Sequence, residues 1–425
     1  MKILNTCKVG IALTAAAFLG MTTAQPAAAI TFSLSDLGTL GGNNSSATTI
    51  NDYGQVIGTS STADGQSRAF FWEKSNGMSD LGTLGGDISA AYAINNYGQV
   101  VGTSRNADGQ YRAFLWEKSS GMSDLGTLGG NDSSARAIND YGQVVGSSNT
   151  PKGQFRPFLW EKNSGMIDLG TVTGGYNTYA NAINNLGQVI GDSYIAGESR
   201  AFLWEKSSGI IDLGTLGGYY SRAKAINELG QVMGQSNTAN SNSRPFLWEK
   251  SSGMSDLGTL GGDESYPTAI NDYGQVIGMS YTAARQQYIP FLWEKSSGMS
   301  DLGTLGGDES YPTDINNLGQ VIGYSYIGGE SRAFLWEKSS GISDLNNLVW
   351  APGWILNRVV AINNVGQIVG TGLYNGQERA FLLTPNTSKS VPEPSSALAF
   401  LTLGAVGAGA LAKRQWQQQD ASSRN

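Results

Sequence analysis

Histidine is absent from all 425 residues, and cysteine occurs once, at Cys7. Without histidine, Ser-His-Asp and Cys-His catalysis and the usual zinc sites are closed to this chain. Cys7 lies ahead of the apolar run Val9 to Met21, so the exported chain keeps no thiol for a disulfide framework or a thiolate metal site. Charged residues make up only 14% of the chain, with 27 Lys+Arg against 34 Asp+Glu and a net charge of −7. An acidic chain without a basic cluster is a poor partner for nucleic acid. The Asp-rich spacing of a calcium-binding EF-hand loop is missing as well. No metal and no cofactor is expected. Any chemistry would rest on carboxylates, Tyr, Lys or Arg.

Two terminal segments read as address labels. Lys2 and Lys8 precede the run Val9 to Met21, and Ala27-Ala28-Ala29 offers small residues for cleavage between Ala29 and Ile30. This is the pattern of a secretory signal peptide over residues 1–29. At the other end, Val391-Pro392-Glu393-Pro394 is followed by apolar residues 397–412 and then Lys413-Arg414. As a helix those residues reach about 24 Å, enough for a membrane segment with snorkelling of Lys413. The basic pair favours a cytoplasmic C-terminus. Residues 386–396 then form a linker and 413–425 a basic, polar tail. Motif, apolar run and basic pair together resemble the PEP-CTERM sorting signal. That resemblance implies an exosortase-type processing protease as partner, membrane anchoring before processing, and cell-surface or extracellular localisation afterwards. An ordinary C-terminal anchor is the competing reading.

Between the labels the chain repeats itself. The Trp of a FLWEK-like segment recurs at Trp72, Trp116, Trp160, Trp204, Trp248, Trp293 and Trp336, at intervals of 43 to 45 residues. A fixed period of this size marks stacked units that cannot bury their apolar faces singly. In the copy from Asp80 to Ser123 the pattern predicts four short strands: Ala91 to Asn95, Gln99 to Ser104, Arg112 to Glu117 and Met122 to Leu125. They are bounded by Gly, Asn, Asp and Ser, as strands are. Asn95-x-x-Gly98 and Lys118-Ser119-Ser120-Gly121 read as tight hairpin turns. A glycine recurs inside the second strand, as at Gly58 and Gly102, and suggests close backbone approach. Phe114 and Trp116 share one face of the third strand while Leu115 takes the other, so the sheet is packed between two neighbours.

Four antiparallel strands in about 44 residues are the size of a β-propeller blade. The first fourth-strand segment, Phe32 to Leu37, has no strands before it, and the last three, Val360 to Leu383, have no fourth strand after them. An open stack would expose both ragged ends as sheet edges. The expected fold is an all-β, eight-bladed β-propeller over residues 30–385, closed when residues 32–37 complete the last blade. A right-handed β-solenoid is the competing architecture, but its coils usually need only about 20–29 residues each.

The run DLGTLGG…AINxxGQVxG…RAFLWE resembles the HAF-type extracellular repeats of exported bacterial proteins, with Arg112 and its equivalents where the repeat is named for His. The resemblance covers about Phe32 to Thr384 and implies export and a repetitive β body, with no established reaction.

The repeated Trp residues are expected as inter-blade core. The repeated strand-three arginines, Arg68, Arg112, Arg156, Arg200, Arg244, Arg332 and Arg379, are expected to pair with repeated Asp or Glu. Function is expected where the copies differ, in the crossing after LGG and the loop between the second and third strands, which share one face. There the candidates for binding a glycan or a surface protein are Tyr176, Tyr179, Tyr219, Tyr220, Tyr266, Tyr311, Asp263, Glu264, Asp308 and Glu309. Trp350 and Trp354, in an insertion in the last copy, would form a contact site or cap the closure. The expected role is that of a non-catalytic surface or matrix protein. The alternative is a propeller glycoside hydrolase or lyase using a carboxylate pair, with Asp192 and Asp314 as pattern-breaking acids that would have to converge in one pocket.

Overall fold

Short strands separated by Asn-x-x-Gly and Ser-Gly turns can satisfy their backbone groups only by pairing with immediate neighbours in sequence. In the computed structural model, which describes residues 30–307 and 309–386, they do so in eight four-stranded antiparallel sheets. The expected leader, the Val391–Pro394 motif, the 397–412 helix, the tail and Asp308 lie outside the described residues.

Blades are numbered here in chain order and their strands a to d outward from the central channel. Blade 2 consists of Gly85–Ile94, Val100–Asn106, Tyr111–Glu117 and Gly121–Asp124. Each strand a contacts strand a of the blades on either side, so that eight of them ring the channel. Blade 8 takes Trp354–Ile362, Ile368–Tyr374 and Gln377–Pro385 from the end of the body and Phe32–Asp36 from its start. The closing pair runs from Phe32↔Pro385 to Asp36↔Phe381. The architecture is the expected closed propeller.

The insertion in the last copy supports this closure. A single 3-10 turn, Leu345–Asn347, presents the Asn346 side chain, which donates to Leu356 C=O at 2.9 Å and accepts from Leu356 N–H at 2.8 Å. Phe32 N–H donates to Leu348 C=O at 2.9 Å. Trp354 stacks on Tyr374 at 5.2 Å and meets Phe381 edge-on at 6.0 Å. Trp350 is 89% exposed.

The repeated INxxGQ segment is explained by its bonds. In blade 2, Asn95 Oδ1 accepts from the N–H groups of Tyr97 and Gln99 and so fixes the a–b turn, where Gly98 takes φ +74°. Asn95 Nδ2 donates across the blade boundary to Asn139 C=O at 3.0 Å. Gln99 Nε2 passes on to Glu117 Oε1 at 2.8 Å, and Glu117 faces Lys162 of blade 3. The motif is a staple between blades, which is why it repeats.

Packing follows the face rule. Phe114 and Trp116 join Ile57 and Phe71 of blade 1 in one buried cluster, whereas Leu115 joins Val144 and Phe158 of blade 3 in the next. Trp116 lies 5.2 Å from Phe71, confirming the inter-blade role of the repeated Trp. The strand-b glycine is the contact point: a Cβ at Gly102 would meet Ala90 O at 2.0 Å and the Phe114 ring at 2.9 Å.

Two expectations are corrected. Strand a begins at Gly85 rather than Ala91, because Thr83 Oγ1 donates to Gly86 C=O and Leu84 N–H donates to Ser104 Oγ, folding the TLGG segment back onto strand b. The strand-c arginines do not form a uniform set of ion pairs. Arg112 pairs with Asp124 at 3.0 Å and Arg332 with Asp344 at 3.7 Å, but Arg68, Arg156 and Arg379 donate to the Gln side chain two residues earlier. That Gln is the nearer acceptor on the same face of the strand.

Candidate functional site: an aromatic and cationic recess at one mouth of the channel

Every strand a carries the same irregularity. Its pairing with strand b skips one residue inside an Ala-x-Ala-like segment, as between Ala91 and Ala93 or Ala135 and Ala137. The skipped residue is Thr48, Tyr92, Arg136, Asn181, Lys224, Thr268, Thr313 or Val360 in blades 1 to 8. A bulge leaves one residue outside the ladder and re-aims its side chain. On an innermost strand that side chain meets the channel. The position varies in charge, size and aromaticity, whereas the residue before it is always small and apolar: Ala in five blades, Pro267 and Pro312 in two, and Val359 in the last.

Blades 2 to 5 enclose a hollow of about 850 Å³ on the face of the b–c loops. Its aromatic wall comprises Tyr92, Tyr111, Phe155, Tyr176, Tyr179 and Tyr194, and its polar groups include Asp132, Arg136, Asn177, Asn181, Asp192 and Arg222. Tyr179 packs 5.5 Å from Phe155 and 6.2 Å, edge-on, from Tyr194. Asn177 Oδ1 accepts from Phe155 N–H, and Asp132 Oδ1 from Tyr111 N–H, so loops of adjacent blades are tied together at the rim. A second hollow of about 510 Å³ adjoins it, lined by Arg136, Asn181, Tyr220, Arg222, Lys224 and Tyr266 among others. Arg136, Asn181 and Arg222 belong to both, making one continuous trough.

Asp192 anchors the floor. Its Oδ1 accepts from Ala223 N–H at 2.9 Å, and its Oδ2 accepts from Asn181 Nδ2 at 2.8 Å and Arg222 Nε at 2.9 Å. Burial outweighs these donors and lifts its pKa to about 6. Enclosure in the wall, and secondarily Arg222, pushes the Lys224 ammonium below its ordinary value, while Lys224 Nζ donates to Pro267 C=O at 3.0 Å. Desolvation raises the phenols of Tyr179 and Tyr220. Such a surface can stack flat apolar faces, donate hydrogen bonds from cations and accept them at its rim.

The candidate residues scatter more widely than one site. Tyr176 and Tyr179 line the first hollow and Tyr220 and Tyr266 the second. Tyr219, 80% exposed, and Asp263, also exposed, line neither. Glu264 accepts from the hydroxyls of Tyr266 at 2.8 Å and Tyr288 at 3.1 Å. Tyr311 lies in a separate cluster on blade 7, stacked 5.2 Å from Tyr324, and donates to Glu309 at 2.8 Å. Mainly burial, and then Glu309, pushes its phenol up to about 12. The two pattern-breaking acids do not converge. Asp192 belongs to blade 4, whereas Asp314 sits on blade 7 and accepts from Ile315 N–H at 2.9 Å and from Ile362 N–H of blade 8 at 3.0 Å. Tyr92, Arg136, Asn181, Arg222 and Lys224 escaped the sequence reading. Their signal was present, as variable positions inside an otherwise constant strand.

The other hollows are built from repeated residues. One of about 870 Å³ on the hairpin face is lined by Gln99, Glu117, Gln143, Glu161 and Lys162 among others, the repeated residues whose Gln–Glu bonds run within each blade and whose Glu117–Lys162 pair joins two blades. One of about 490 Å³ at the hub is lined by the Ile-Asn-Asn/Asp turns. Among the described residues no group of three His, Cys, Asp or Glu could hold a metal ion.

Comparisons with known proteins bear mostly on the tail. No curated protein matches the chain. Among solved structures, the β-propeller domain of the Trilobed protease from Pyrococcus furiosus is 8% identical, with 82% of this chain and 100% of that one covered at a TM-score of 0.45. The BP39L lectin from Burkholderia pseudomallei is 8% identical over 73% of this chain and 96% of that one, at a TM-score of 0.40. A puromycin-hydrolyzing peptidase from Mycobacterium tuberculosis is 11% identical over 84% of this chain but only 55% of its own length, at a TM-score of 0.45. Residues 390–415 match the PEP-CTERM protein-sorting motif, so this β-propeller carries the signal of an exported protein that exosortase processes at the membrane.

Proposed function

We propose that this chain is a non-catalytic, surface-displayed propeller, built from HAF-type repeats, that binds carbohydrate in the trough at the b–c loop mouth of its channel. The carrying observation is the wall of six aromatic side chains around a hollow of about 850 Å³, with Asp132, Asn177 and Asn181 among its polar groups. Aromatic faces stack on the apolar faces of sugar rings, and short polar side chains fix the hydroxyls. The separation of Asp192 from Asp314, each held by backbone donors, gives no support to the alternative of a carboxylate-pair glycosidase.

Display geometry supports the reading. Strand c of every blade runs toward the hairpin face, and the final strand c ends at Pro385, whose ring would lie 3.3 Å from a Cβ at Gly366 of an a–b turn. The last described residue, Asn386, thus lies on the face opposite the trough. A body tethered there presents the trough outward.

A glycan array probed with residues 30–386, which contain every strand of all eight sheets, tests the proposal. Binding should appear and should weaken about tenfold or more in Tyr179→Ala. Equal binding by wild type and Tyr179→Ala, or turnover of a bound glycan, would count against it.

A further inference from the structure

The trough holds an unusual share of this chain's positive charge. The protein is net acidic and has only 27 basic residues, yet Arg136, Arg222 and Lys224 all line the hollow of about 510 Å³. Their attachment differs. Arg222 is committed to Asp192 at 2.9 Å. Arg136 and Lys224 take part in no ion pair among the described residues. Both occupy the bulge position, on blades 3 and 5, with Asn181 at the same position of blade 4 between them. Arg136 lies over the Tyr92 ring at 6.0 Å, which holds the guanidinium toward the first hollow.

Lys224 gives up part of its hydration to the wall and feels the neighbouring Arg222 charge, so the site is better satisfied by an anion than by water alone. No carboxylate lines that second hollow; of the two bonded to its lining residues, Asp192 has both oxygens engaged and Glu264 accepts from the hydroxyls of Tyr266 and Tyr288. Guanidinium and ammonium groups beside aromatic faces are suited to a ring that carries a negative substituent.

We infer that the ligand of the trough is an acidic saccharide, with sugar rings against Tyr92 and Tyr179 and a carboxylate or sulfate between Arg136 and Lys224. This deepens the carbohydrate reading and rests on it. The depressed basicity of Lys224 fits a cation waiting for its counter-ion.

The test is calorimetric titration of residues 30–386 with three probes: an oligogalacturonide, the same oligomer fully methyl-esterified, and a sulfated galactan oligomer. The acid form or the sulfated form should bind at least about tenfold more tightly than the neutral ester, and which of the two wins identifies the anion. Arg136→Gln and Lys224→Gln should each weaken the preferred acidic probe by about tenfold and leave the neutral ester unchanged. Both side chains are exposed to the channel, and thermal melts of the variants check that the ring is intact. Equal binding of ester and acid, reduced by Tyr179→Ala but not by either Gln variant, would overturn the inference and leave the carbohydrate reading standing. Binding of none of the three, together with a blank glycan array, would remove both.

Discussion

Asn363 Nδ2 donates to Asn51 C=O at 3.0 Å, across 312 residues of sequence. The same bond joins Asn51 to Asn95, Asn95 to Asn139 and so on through Asn316 to Asn363. A second circuit runs beside it, in which the next residue's N–H meets the side chain one blade on, as Asn96 to Asp140 and finally Asn364 to Asp52 at 3.0 Å. The hub is thus closed twice by hydrogen bonds that no open stack could complete. Asn139→Ala removes one link together with the turn bonds to Tyr141 and Gln143. A stability loss of about 2–4 kcal/mol is expected in urea unfolding, and a loss under 0.5 kcal/mol would show that the circuit is incidental.

The two kinds of tryptophan should separate cleanly. Trp116 is buried against Phe71 of the preceding blade, and Trp116→Ala is expected to cost about 3–5 kcal/mol. Trp350 is 89% exposed, and Trp350→Ala should change stability by no more than about 0.5 kcal/mol. Thermal melts of the two variants side by side make the comparison.

Gly102→Ala places a methyl 2.0 Å from Ala90 O, a backbone contact that no rotamer change can relieve. Overpacking of this kind costs about 1–3 kcal/mol or more. The variant should unfold at clearly lower urea than wild type.

Asp314 supplies a pH test. Burial lifts its folded-state pKa from 3.8 to about 6, against the lowering effect of its two backbone donors. The folded protein therefore keeps this proton where the unfolded chain has lost it. The resulting stability is fully present below about pH 4 and disappears as pH rises through about 6. Six other blades carry Ala at this position, as at Ala93 and Ala269, so Asp314→Ala fits the site. The destabilisation caused by Asp314→Ala should be smaller at about pH 7 than at about pH 4, by on the order of 2 kcal/mol. Parallel urea titrations at the two pH values would show it, and an unchanged difference would contradict the assignment.

Blade number, strand order and closure were legible because each follows from a repeat that stays in register from Trp72 to Trp336. The trough was only half legible. Tyr176, Tyr179, Tyr220 and Tyr266 stood out as aromatic breaks in variable segments. Arg136 and Lys224 did not, because a strand pattern assigns alternate residues to alternate faces and cannot show that one residue is left out of the ladder. The early start of strand a at Gly85 was hidden for a related reason. Two adjacent glycines read as a loop, and the Ser104 hydroxyl that holds the segment against strand b lies twenty residues away in the chain. The variable arginine partners, Gln66 for Arg68 but Asp124 for Arg112, needed coordinates.

The ring itself is most directly tested by a cross-link. Ser33 and Thr384 are register partners on neighbouring strands, and residues 30–386 contain no cysteine. In the double variant Ser33→Cys/Thr384→Cys, antiparallel pairing brings the two Cα atoms within disulfide range. Oxidation should give an intramolecular disulfide in nearly all molecules, with unchanged elution volume and a raised Tm. Free thiols that persist under oxidation, or disulfides formed only between molecules, would mean that the two ends never meet and that the channel and its trough do not exist.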